Sequence, residues 1–120
     1  LTGPGGDRVT HYREVAVAAL ASADTEHAAS FVTRVLGPLA APDEDTVRVA
    51  TTLAVYLQEN RSRARTAKRL IVHPNTVSYR VNQAEQILGR SIDTDVLELS
   101  VALALLPTMP GLAHQHTAGL

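Results

Sequence analysis

The sequence predicts an all-α domain of about six helices. Three observations carry that reading. Apolar residues recur at three- and four-residue spacing instead of alternating. Short polar side chains able to cap a helix, among them Asp43 and Ser62, stand just before those stretches. Gly or Pro closes them, at Gly37-Pro38, Gly89 and Pro107. With 120 residues, 45% of them hydrophobic, the chain can bury one modest core. It contains no Cys, which excludes disulfide frameworks and thiolate metal sites and permits a reducing compartment.

Each element has its own justification. The opening LTGPGGD, without an initiator Met, reads as a linker within a longer protein. His11 to Ser22 is expected to be helical from its Ala content and the Tyr12-Ala16-Ala19-Ala23 spacing. Asp24 or Thr25 caps a second helix carrying Ala28, Phe31, Val32, Val35 and Leu36. Residues 1–41 are thus read as a linker and helical segment ahead of a main domain over 42–106. There Asp43 caps a helix with Glu44 and Asp45 in its first turn, where negative charge meets the positive end of the dipole. Val47, Ala50, Ala54 and Leu57 predict its inner stripe.

Ser62 opens a short helix in which Ala64, Ala67 and Leu70 share a face, small enough for a neighbour to cross closely. The turn Ile71-Val72-His73 is expected to bury its apolar members. Pro74 suits the first position of the next helix, where a missing N–H costs nothing. That helix runs to Leu88, with Val77, Val81, Ala84 and Leu88 inward and Gly89 closing it. Asp93 or Thr94 is expected to cap a last helix from Asp95 to Leu106, and residues 107–120 to form a frayed tail. The apolar run Val96 to Leu106 carries Glu98 and is too short to span a bilayer. No charged segment leads into an apolar one at the N-terminus. The expectation is a cytoplasmic setting without membrane contact.

Charge points to a partner. Residues 60–90 hold Arg61, Arg63, Arg65, Lys68, Arg69, Arg80 and Arg90 against Glu85 alone, a net of +6; the remainder is −7, giving −1 overall. A basic segment in an acidic chain is the footprint of a polyanion-binding surface. The same stretch holds the short helix, tight turn and longer helix of a helix-turn-helix. In such a unit the second helix enters the DNA major groove, where amides bond adenine edges and methyls touch thymine. At about 100° per residue the face opposite Val77 and Val81 carries Asn75, Tyr79 and Asn82, with Thr76 and Ser78 beside it. Asn75, Thr76, Ser78, Tyr79 and Asn82 are therefore the candidate base readers. Arg61, Arg63, Arg65 and Lys68, with His73 and Arg80, are the candidate phosphate contacts. The blander reading is a helical hairpin with a wet polar face; the turn, the small crossing residues and the local charge favour double-stranded DNA. One helix reads few base pairs, so a homodimer or larger assembly is expected. The alternative function is a helical protein–protein module built on residues 96–106.

Other chemistry finds little support. His114-Gln115-His116 could hold a transition metal, but no carboxylate or thiolate is near enough in sequence to complete a site. Ser62, Ser78 and Ser100 lack a base and an orienting acid. Neither an enzyme, a metal nor a cofactor is expected.

TLAVYLQENRSRARTAKRLIVHPNTVSYRVNQAEQILG resembles the C-terminal helix-turn-helix of the PucR/CdaR-type bacterial transcription regulators. The resemblance rests on TA-x-x-L, at Thr66, Ala67 and Leu70, and on H-x-N-T-x-x-Y-R, at His73, Asn75, Thr76, Tyr79 and Arg80. FVTRVLGPLAAPDED and DVLELSVALALL resemble the segments before and after it, so the likeness covers about residues 24–106. It implies a transcription regulator with a Fis-like helix-turn-helix, and an effector bound by sensing domains N-terminal to this stretch. The chain departs from that pattern at Arg61, where Gly or a small polar residue is usual, and at Pro74 and Ser78, where Arg or Lys is common.

Overall fold

A computed structural model describes residues 24–109. Five α-helices follow one another in this span: α1 (Thr25–Leu36), α2 (Glu44–Gln58), α3 (Arg63–Leu70), α4 (Pro74–Leu88) and α5 (Val96–Leu105). Short 3-10 turns lie at Gly37–Ala40 and Leu106–Thr108. No strand occurs among the described residues. The expected helix at His11–Ser22 lies outside them.

Local chemistry sets most of the boundaries. Asp24 caps α1, its carboxylate accepting from His27 N at 3.1 Å; the same carboxylate pairs with the His27 ring. Asp43 caps α2 through Thr46 N, 3.1 Å, and Ser62 caps α3 through Arg65 N, 3.1 Å. Helix α2 ends in a pair of bonds, Asn60 N to Leu57 O and Arg61 N to Tyr56 O, with Asn60 and Arg61 both at positive φ. That is the Schellman closure. Gly37 and Gly89 end α1 and α4 at φ +51 and +74, a region glycine enters without a Cβ penalty.

Helix α2 is central, packing on α3, α4 and α5, while α1 lies against α5. Leu36, Leu39, Leu53, Leu99, Val32 and Val77 are fully buried in one cluster. Val32, Val35, Leu36 and Leu39 belong to the same cluster as the helices after residue 42. The boundary at 41/42 therefore does not separate two cores.

Five local expectations need correction. On α2 the buried residues are Val49, Ala50, Thr52, Leu53 and Val55; of the expected stripe Ala50 is buried and Ala54 and Leu57 pack half-buried against the core, whereas Val47 is 47% exposed. This helix is covered from several sides, so its neighbours, not its hydropathy, choose the buried arc. On α3 the inward pair is Thr66 and Ala67, with Ala64 exposed. Ile71 is 89% exposed instead of buried, because it closes α3 in the left-handed region, φ 58, which swings its side chain outward. Neither Asp93 nor Thr94 caps α5. Asp95 precedes it at φ 55 without a side-chain cap, and Arg90 holds the junction, donating to Thr94 O at 3.2 Å. Pro107 and Thr108, placed in the expected tail, continue α5 as a 3-10 turn; residues beyond 109 are outside the description. No helix among the described residues is long and apolar enough to cross a membrane.

Candidate nucleic-acid interface

Helix α3 begins with two cations, Arg63 and Arg65, and has no acid in its first turn. Helix dipoles favour anions at that end, so the sequence adds positive charge where positive potential already exists. The turn is short. Val72 N donates to Ala67 O at 2.9 Å, and His73 then caps α4, its Nδ1 accepting from Asn75 N at 3.0 Å. This bond requires the ring proton, if only one is present, to sit on Nε2. Pro74 occupies the first turn, as its fixed φ and missing N–H allow.

Helix α4 is held by Val77, Val81 and Ala84, all buried. Its outer face presents Asn75, Tyr79, Asn82 and Gln86 to solvent, with Thr76, Ser78 and Gln83 half-buried. Tyr79 is 64% exposed. Four of the five candidate base readers thus lie on or beside an open face. The fifth, Ser78, turns toward α3, where its Oγ accepts from Arg63 Nη1 at 3.1 Å. That bond brings the cationic start of α3 against the outer flank of α4.

The candidate phosphate contacts divide into two kinds. Arg61 pairs with Asp93. Arg80 is half-buried and donates to Thr52 on α2 at 3.3 Å. Two further cations of the basic segment are also engaged, Arg69 with Glu59 at 3.1 Å and Arg90 with Asp95 at 3.5 Å. Arg65 and Lys68 are exposed and have no acidic partner among the described residues. Sequence reasoning missed Thr52, Glu59 and Asp93 as partners. Thr52 and Asp93 lie 28 and 32 residues from the arginines they meet, a separation at which no local pattern signals contact. No group of three His, Cys, Asp or Glu able to hold a metal occurs among the described residues.

A short helix, a turn closed by a left-handed residue and a longer helix with an open amide-bearing face define a helix-turn-helix domain. Residues 49–105 match the family model of the PucR C-terminal helix-turn-helix domain. The purine catabolism regulatory protein of Bacillus subtilis (strain 168) is 37% identical over 75 residues, covering 62% of this chain and 14% of that protein. A Thermomonospora curvata protein, "Uncharacterized protein in pkwA 5'region", is 38% identical over 66 residues, covering 55% of this chain and 37% of that one. The chain therefore spans well under half the length of either relative. No solved structure matches significantly.

Proposed function

We propose that the chain is the DNA-binding part of a transcription regulator, with α4 reading the major groove of double-stranded DNA. The observation that carries this is the Arg63–Ser78 bond at 3.1 Å, which joins a cationic helix start to an exposed polar helix face. Arg63, Arg65 and Lys68 hold phosphates; Asn75, Thr76, Tyr79 and Asn82 meet base edges. His73 offers Nε2–H to a phosphate while its Nδ1 caps the helix, and Arg61 serves only when released from Asp93. The domain acts as a homodimer or larger assembly, its effector bound by domains N-terminal to it, in a cytoplasmic regulator without catalytic activity. The alternative, a protein-interaction module on α5, has less support: Leu99, Leu103 and Leu105 are buried against this chain itself, leaving Leu97 as the exposed large apolar residue of that helix.

The test is a selection of bound duplexes from a random library, followed by binding to the enriched and to scrambled sequences. Asn75→Ala and Asn82→Ala should each weaken the enriched duplex by ~1–3 kcal/mol and the scrambled one little. Failure to enrich any sequence, together with salt-independent binding, would overturn the assignment.

A further inference from the structure

The motif arginine of α4 points away from solvent chemistry and toward α2. Arg80 is the single cation of that helix, yet it is half-buried and its Nη1 donates to Thr52 Oγ1 at 3.3 Å. Thr52 is 1% exposed, and its hydroxyl donates in turn to Arg48 O at 2.8 Å. Ser78, two residues before Arg80, is tied to α3 through Arg63 at 3.1 Å. Two residues span about 200° around a helix, so the two bonds grip opposite flanks of α4, with Val77 and Val81 packed between them. Hydrophobic burial is itself non-directional, so directed bonds on both flanks add to the packing of Val77 and Val81 in fixing the rotation of α4. A rotation of about 20° would carry side-chain tips on a helix of this diameter by about 2 Å, enough to miss a base edge.

We propose that Arg80 is a positioning residue, fixing the rotation of α4 through Thr52 so that Asn75, Tyr79 and Asn82 meet bases in register. The inference rests on the DNA-reading function proposed above. Thr52 is buried on α2 and cannot touch DNA, so it separates positioning from phosphate contact. The probes are a duplex enriched from a random library by the unaltered chain and a scrambled duplex of equal length, each titrated over a range of salt. Thr52→Val and Arg80→Met should each lower the ratio of enriched to scrambled affinity by about tenfold. The salt dependence on the scrambled duplex should stay unchanged, and the double variant should be no worse than either single one. Arg80→Met, at a half-exposed position, gives the same reading should Thr52→Val fail to fold, as melting would reveal. An undiminished ratio in both variants would overturn the proposal while leaving the DNA reading intact. A salt slope lowered by about 0.9 in Arg80→Met alone would make Arg80 a phosphate contact instead. An unaltered chain with no ratio to lose would overturn both.

Discussion

Ile71 shows what one residue can conceal. A β-branched side chain in the left-handed region, φ 58, carries a cost of roughly 1–2 kcal/mol, and at 89% exposure Ile71 recovers little of it by burial. Ile71→Asn should therefore stabilise the domain by about 0.5–1 kcal/mol, since Asn tolerates this conformation; a thermal or denaturant melt checks it, and a loss of stability would mean that Ile71 is covered in solution. Hydropathy predicted burial because it carries no information on φ. The same blindness applies at Arg61, φ 63. By contrast the outward set Asn75, Tyr79 and Asn82 was legible, because a 3.6-residue period fixes one face once Val77 and Val81 fix the other.

At the scale of elements, the first turn of α3 is built against the helix dipole, while Lys68 and Arg69 in its last turn complement it. Replacing Arg65 with Glu should stabilise the isolated domain by about 0.3–1 kcal/mol and weaken every duplex alike. Opposite signs in melting and binding are the expected signature; if both properties improve, the phosphate surface lies elsewhere. The caps of α1 and α2 carry a pH dependence. Bonds from the Thr46 hydroxyl and N–H hold the Asp43 carboxyl below its usual value of 3.8. A carboxyl lowered in the folded state contributes stability above its unfolded pKa and loses it as pH falls through the folded one. The Asp24 side chain, bonded to His27, is lowered likewise, while His27 is raised above 6.5 by that carboxylate. Its contribution is complete below about 6.5 and disappears as pH rises through the raised value. Helix α1 should thus be best anchored between about pH 4 and 6.5, and α2 should hold its cap upward from about pH 4, as amide exchange at their first turns would show. Such caps were readable from single residues; the buried arc of α2 was not, because three packed helices determine it.

The described residues share one core, and their first and last α-helices close it. Leu99 is fully buried on α5, and Leu99→Ala should cost about 2.7–5 kcal/mol. Val81→Asp would bury an unpaired charge and unfold the domain as a unit. Beginning the chain at residue 42 removes Val32, Val35, Leu36 and Leu39 from the cluster and uncovers α5; that shortened domain should melt well below the full one. The sequence placed α1 outside the domain because the contact between α1 and α5 joins stretches far apart in the chain, and periodicity reports only neighbours.

That long-range closure also orders events in time. The α3–α4 unit forms from contacts a few residues apart, whereas α1 must wait until α5 has been made, since closing a long loop is costly before its contacts are gained. Helix α1 should therefore dock late in folding, and substitutions at Val32 should speed unfolding more than they slow folding. Docking last, it should also be first to detach. Tension applied to the chain from its N-terminal side would peel α1 from α5 and leave α4, seated on α2 and α3, in place.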